Sequence, residues 1–161
     1  MIRFDSPEAL AHWQAIGDGV MGGTSSGRID YDPRGHAVFS GNVSFANGGG
    51  FASVRCPVVE PGREEVTAYE LAVRGDGKTY KLNLRVDSGF DGISYQARFA
   101  PPPDWTRILL PLAEFLPSWR GRPVPDAPPL DPARLQQIGF LIADRQQGPF
   151  RMEIRSIIAL P

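Results

Sequence analysis

The chain has 161 residues, 42% of them apolar and 22% charged, and a net charge of −1. A chain of that size can bury a single proper core, and its charge balance leaves no electrostatic footprint for nucleic acid or an anionic membrane. The single cysteine, Cys56, excludes an internal disulfide and a cysteine-based metal cluster.

Taken in order, Ile2-Arg3-Phe4 reads as a short strand. Ser6-Pro7-Glu8 opens a helical turn, with Ser6 as its cap and Pro7 at the first helical position. The segment Met1 to Glu8 lacks the basic and apolar regions of a secretory signal. Trp13 is a candidate core anchor. Arg28 to Asp32 is a strand closed by the turn Pro33-Arg34-Gly35. From His36 to Phe45 the chain alternates, with Phe39, Val43 and Phe45 on one side. Phe51 to Cys56 is the next strand, stopped by Pro57, and Cys56 reads as a buried structural thiol.

Tyr69 to Arg74 and Thr79 to Val86 flank Gly75-Asp76-Gly77, a hairpin signature. Tyr80, Leu82, Leu84 and Val86 share one face of the second strand; Lys81, Asn83 and Arg85 share the other. Ile93 to Phe99 repeats the pattern, with Ser94, Gln96 and Arg98 on the polar side. Trp105 to Leu110 is a strand, followed by a helical turn at Leu112 to Phe115. Residues 119 to 129 read as irregular and proline-rich. Asp131 opens another helical turn, and Ile138 to Ala143 and Phe150 to Ile158 are the last strands. Short strands, frequent turn signals and no long helix predict an all-β sandwich over residues 1–161, one domain with a few helical turns. No apolar run approaches the roughly 20 residues that span a bilayer.

Two glycine-rich stretches stand out, Gly17-Asp18-Gly19-Val20-Met21-Gly22-Gly23-Thr24-Ser25-Ser26-Gly27 and Asn47-Gly48-Gly49-Gly50-Phe51-Ala52-Ser53. Glycine is required where φ is positive or where another backbone comes close. The first stretch therefore reads as a shaped rim loop, buttressed by the second. Together with Trp13, Arg74-Gly75-Asp76-Gly77-Lys78-Thr79-Tyr80, Tyr95-Gln96-Ala97-Arg98-Phe99, Trp119-Arg120-Gly121-Arg122, Ile138-Gly139-Phe140 and Gly148-Pro149-Phe150, these stretches resemble the CIA30 domain, the complex I intermediate-associated protein 30 family, across nearly the whole chain. The resemblance implies a jelly-roll sandwich of the galactose-binding-domain type. It also implies a non-catalytic, chaperone-like protein that assists assembly of NADH:ubiquinone oxidoreductase through protein contacts. The form expected is free-standing, bacterial-type and cytoplasmic, peripheral to the inner membrane through a partner such as a subunit of a membrane respiratory complex.

The candidate chemistry is sparse. Ala72 to Thr79 fits a loosened phosphate-loop pattern, but a phosphate loop must open a helix and Tyr80 to Val86 alternates as a strand. His12 and His36 sit in unrelated segments, and no nucleophile–histidine–carboxylate arrangement is suggested. Asp18, Thr24, Ser25 and Asn47 are candidate binding groups of the glycine-rich rim. Asp18 could hold calcium with loop carbonyls, yet no calcium-loop ligand run is present, and no metal or cofactor is expected. The second candidate surface is the wet side of the sheet. Lys81, Asn83, Arg85, Ser94, Gln96, Arg98, Arg151, Glu153 and Arg155 are expected to lie on it together. Such a face is either plain solvated surface or a polar groove for a protein segment, a sugar or a small carboxylate. The alternative to an assembly factor is thus a carbohydrate- or small-molecule-binding module. Trp105 and Trp119 are candidates for a stacking platform, a protein hot spot or the core.

Overall fold

The computed structural model describes residues 1–17, 25–46 and 50–161. Their alternating segments form thirteen strands: β1 (Ile2–Arg3), β2 (Gln14–Gly17), β3 (Ser26–Asp32), β4 (His36–Val43), β5 (Ala52–Pro57), β6 (Ala68–Gly75), β7 (Tyr80–Arg85), β8 (Ser94–Phe99), β9 (Thr106–Pro111), β10 (Leu116–Trp119), β11 (Arg122–Pro123), β12 (Gln137–Ile142) and β13 (Gly148–Leu160). One sheet runs β3-β4-β13-β6-β9, with β1 added beside β13; the other runs β11-β10-β8-β7-β12-β5-β2. Every pairing is antiparallel. The result is a jelly-roll β-sandwich, as the residues and the resemblance both predict. No helix among the described residues is long and apolar enough to cross a membrane.

Alternation decides what fills the space between the sheets. Tyr80, Leu82 and Leu84 of β7 are fully buried, while Lys81, Asn83 and Arg85 between them stay half-buried on the outward side. Each leucine buried in this way contributes about 1.5–3 kcal/mol. Aromatic rings stitch the two sheets together. Phe39 meets Phe150 at 4.9 Å and Tyr80 at 6.1 Å; Tyr80 stacks on Phe99 at 6.2 Å, which meets Phe140 at 6.2 Å. Trp13 stacks on Phe140 at 6.1 Å and meets Phe4 edge-on, the core-anchoring place its position suggests. Cys56 is buried, and desolvation pushes its thiol up to about 11.

The turn Gly75-Asp76-Gly77 does not close a hairpin. β6 pairs with β13 and β9, whereas β7 pairs with β12 and β8, so the turn carries the chain from one sheet to the other. Gly77 has φ +79°, and a Cβ on Gly75 would lie 2.7 Å from Cγ of Pro101, so both glycines meet local demands. The Asp76 carboxylate pins the arch. It accepts from the Lys78 amide, from the Tyr80 hydroxyl and from the Arg151 amide at 2.9 to 3.1 Å. With no helix following, the phosphate-loop pattern lacks its amide cradle.

Other local expectations shift by smaller amounts. Ser6 precedes a 3-10 turn over Pro7–Leu10 but makes no side-chain cap, while Asp131 caps Pro132–Arg134 by accepting from the Ala133 amide. β4 ends at Val43, leaving Phe45 39% exposed. Strands β2, β10 and β11 fall where no alternation was long enough to mark them.

Candidate functional site

The two glycine-rich stretches do converge where they are described. Gly17 pairs with Ala52, and a Cβ on Gly27 would come within 2.9 Å of Ala52 Cβ. The Ser25 hydroxyl donates to the Ser44 carbonyl at 3.0 Å and accepts from the Ser44 amide at 2.8 Å, tying the end of the first stretch to the residue that follows β4. Candidate groups Asp18, Thr24 and Asn47 lie outside the described residues.

The seven-stranded sheet organises its outward side chains into rows. Across one row stand Arg98, Lys81, Leu141, Ser53 and Ile16; across the next stand Leu116, Gln96, Asn83, Gly139, Arg55 and Gln14. Thus Lys81, Asn83, Gln96 and Arg98 form one surface, as their alternation requires. The polar groups on it are mostly engaged. Asp144 lies 3.3 Å from both Lys81 Nζ and an Arg98 terminal nitrogen, and it sits at φ 59°, a left-handed position that Asp tolerates better than most residues. The Gln96 amide donates to the Ser94 hydroxyl at 3.1 Å.

At the far end, the segment from residue 86 to residue 93 is strapped onto the sheet through its carbonyls. Arg85 donates to Gly92 O at 2.6 Å, Gln137 to Asp87 O and Gly89 O at 2.9 Å, and Arg55 to Phe90 O at 2.9 Å. The Arg55 guanidinium also lies 4.6 Å from the Phe90 ring centroid. From the β10–β11 turn, the Trp119 indole donates to Asp91 O, and Arg120 pairs with the Asp91 carboxylate at 2.6 Å while stacking on Trp119. Burial pulls both Arg55 and Arg85 below the ordinary arginine value, and Arg55's charge lowers Arg85 further; Asp87 and Asp91 act in the opposite direction. Between these groups, beside Gly139 and Ser53, lies a hollow of 20 Å³, room for a water molecule or one hydroxyl. Asn83 Oδ1 is buried against it without a hydrogen-bond donor among the described residues. The open surface offers cationic and amide donors at Lys81, Gln96 and Arg98, while the Asn83 acceptor is within reach only of a group small enough to enter the hollow.

Arg151 does not belong to it. Arg151, Glu153 and Arg155 sit on β13, in the other sheet, and face outward from the opposite side of the sandwich. Alternation places a residue on the wet side of its own strand; it does not say which sheet the strand joins. On that side Glu153, 8% exposed, accepts from Arg74 Nε at 2.6 Å and contacts His36 Nε2 at 2.7 Å, with Arg34 and Arg151 nearby. The Arg74 hydrogen bond, and then that of His36, hold the Glu153 carboxyl at about 2 despite its burial. Asp32 lies 3.6 Å from His36 Nε2 and is held well below the carboxylate range by its hydrogen bonds to Arg34. His36 is therefore not an isolated histidine. Its proximity to Asp32 follows from the tight turn at residues 33–35, but its partner Glu153 is 117 residues away. The oxygens and nitrogen of Asp32, His36 and Glu153 lie within 4.8 Å of one another, a spacing that a cation would accept. Arg34 and Arg74 already neutralise the two carboxylates. Trp105 also lies on this side, its indole beneath the guanidinium groups of Arg155 at 4.0 Å and Arg74 at 4.9 Å, and edge-on to His36.

The architecture places the molecule among jelly-roll β-sandwiches. A family 11 carbohydrate-binding module from Clostridium thermocellum, solved with a β-1,3-1,4-mixed-linked tetrasaccharide, superposes with a TM-score of 0.68 at 15% identity, over 92% of this chain and 88% of the module. A family 29 module gives 0.60 at 11% identity, over 99% and 89%. At such identities the likeness is one of fold. Residues 2–154 match the family model described as complex I intermediate-associated protein 30 (CIA30), and the chain belongs to that family. The mitochondrial complex I intermediate-associated protein 30 of Drosophila melanogaster is 28% identical over 94% of this chain and 59% of its own length. Its mouse counterpart is 34% identical over 52% of this chain and 27% of its own length. An uncharacterized protein of Schizosaccharomyces pombe is 26% identical over the full chain and 84% of its own length. The chain thus spans about three-fifths of the Drosophila relative.

Proposed function

We propose that the chain is a non-catalytic, chaperone-like binding protein that takes part in assembly of respiratory complex I, holding a protein partner on the outward face of the seven-stranded sheet. The family match over residues 2–154 carries this reading. The face supports it: Lys81, Gln96 and Arg98 stand together on it, and the Arg98 side chain is 66% exposed, so it can take a partner's acceptor beside its Asp144 contact, as a polar protein interface requires. Leu116, 67% exposed, and Trp119, 40% exposed, stand at its edge as apolar anchors. The absence of catalysis is part of the proposal. Glu153, the acid closest to a histidine among the described residues, is held ionised near 2, whereas a general acid or base works best with a value near the operating pH. The partner places the protein at the membrane periphery, on the cytoplasmic side in a bacterial setting.

Affinity capture from detergent-solubilised membranes of the native organism tests the reading. Subunits of complex I are expected in the eluate. Repeated capture of folded bait without any such subunit contradicts it. A carbohydrate ligand is the second reading, favoured by the Asn83 acceptor beside a hollow the size of one hydroxyl. Binding on a glycan array by the wild-type chain, lost in Asn83→Ala, supports that alternative.

A further inference from the structure

We propose that the outward face of the six-stranded sheet carries a second, independent binding surface: a cationic groove that receives an extended acidic segment of a protein partner. The strand register builds the groove. Arg3 of β1 lies opposite Ser156 of β13, Ser156 opposite Ala72 of β6, and Ala72 opposite Arg107 of β9. Neighbouring strands are about 4.8 Å apart, so the two arginine backbones stand about 14 Å apart across three strand spacings. Between them the floor is made of two small residues. The groove that results measures about 420 Å³, within the range of roughly 300–1,000 Å³ typical of ligand sites.

A β-bulge supplies the third arginine. The register between β13 and β6 shifts between Ile154 and Ser156, leaving Arg155 as the extra residue. Ile154 and Ile157 are both fully buried, so two consecutive residues, Arg155 and Ser156, face outward between them. Bulges re-aim side chains in this way. The Arg155 guanidinium lies 4.0 Å from the Trp105 ring centroid. An arginine stacked on an aromatic face keeps its in-plane N–H donors free for bidentate contact with a carboxylate. Arg74, over the same indole, is committed to Glu153 at 2.6 Å. Among the described residues, Arg155 and Arg3 form no salt bridge. Arg155 is thus oriented and uncommitted.

The spread of charge selects the occupant. Arg3, Arg155 and Arg107 are distributed across the groove, and one small anion cannot reach all three. In an extended peptide, alternate side chains face the same way at about 6.6 Å intervals, so acidic residues at positions i, i+2 and i+4 span about 13 Å. That matches the row. Asp5 lines the rim and Glu70 approaches Arg107 at 3.9 Å, so the three arginines keep an excess of one positive charge. The excess is modest, and the contact is expected to weaken steeply with salt.

The test is fluorescence anisotropy of the full chain with a labelled hexaglutamate peptide at low salt, with hexaglutamine and inorganic phosphate as comparison probes. Hexaglutamate is expected to bind and hexaglutamine to fail. Arg155→Gln and the Arg3→Gln/Arg107→Gln pair are each expected to weaken binding about tenfold; the pair is remote from the indole and covers the case in which Arg155→Gln does not fold. Gln96→Ala/Arg98→Ala, on the other sheet, is expected to leave peptide binding unchanged, which separates this proposal from the assembly reading. Equal hexaglutamate binding by the wild type and the arginine pair overturns the proposal. So does complete displacement by inorganic phosphate at concentrations where phosphate itself binds, which would reduce the groove to a small-anion site.

Discussion

The two sheets present outward faces made by the same alternation of polar and apolar residues, but they hold their arginines in different ways. On the seven-stranded sheet Arg55 and Arg85 are tied to carbonyls of the 86–93 segment, and Lys81 and Arg98 share Asp144 near the surface. On the six-stranded sheet the organising group is a buried carboxylate, Glu153, gripped by Arg74 and His36, next to an indole that aligns Arg155. One face commits its half-buried arginines to the carbonyls of a strapped segment and shares one surface carboxylate between Lys81 and Arg98. The other is a buried ion-pair network with an open cationic groove beside it. Period-two alternation creates both surfaces; what each can do depends on whether its cations meet carbonyls, a buried carboxylate or an indole.

The largest expected effect comes from breaking the buried side of this contrast. Glu153→Gln leaves half-buried Arg74 without its anion and the buried His36 with only the more distant Asp32, and is expected to cost about 3–5 kcal/mol of folding stability, the range for removing one partner of a buried pair, measured by urea unfolding. The pH dependence follows with a definite sign. The folded carboxyl is depressed from its ordinary 4.5 to about 2, so its contribution is fully present above about pH 4.5 and is lost as pH falls through 2. At about 1.4 kcal/mol per pH unit the loss is bounded at about 3 kcal/mol. Wild-type stability is expected to fall between pH 4.5 and 2 more steeply than that of Glu153→Gln. At the small end, Asp144→Asn removes the charge shared by two side chains, one of them 66% exposed, while keeping a residue that tolerates the left-handed backbone at φ 59°, and is expected to cost under about 1 kcal/mol. A loss of several kcal/mol there would erase the distinction between the faces.

How much of this could be read from the residues alone differs element by element. The alternation of Tyr80 to Arg85 and of Ser94 to Phe99 placed Lys81, Asn83, Gln96 and Arg98 correctly on one surface, because two adjacent strands with polar phases in register must share a face. The same argument wrongly adds Arg151, Glu153 and Arg155, because alternation is a property of a single strand and membership of a sheet is decided by long-range pairing. Gly75-Asp76-Gly77 misled for a related reason: its residues specify a sharp turn, but a turn that returns the strand to its neighbour and one that crosses to the other sheet use the same chemistry. Pro101 and Pro102, whose carbonyls accept from Gly77 and Gly75, settle the matter only in three dimensions. β10 carries little strand signal in its sequence because Leu116-Pro117-Ser118-Trp119 is short and contains a proline. The His36–Glu153 contact joins residues 117 apart, beyond any local pattern.

The central claim, that the seven-stranded sheet's outward face holds the assembly partner, is tested most directly by membrane capture with Gln96→Ala/Arg98→Ala beside the wild-type chain, after both are shown to unfold at the same temperature. The account predicts that complex I subunits are recovered with the wild type and lost, or reduced at least tenfold, with the double variant. Undiminished recovery with the double variant would contradict it and leave that face as solvated surface.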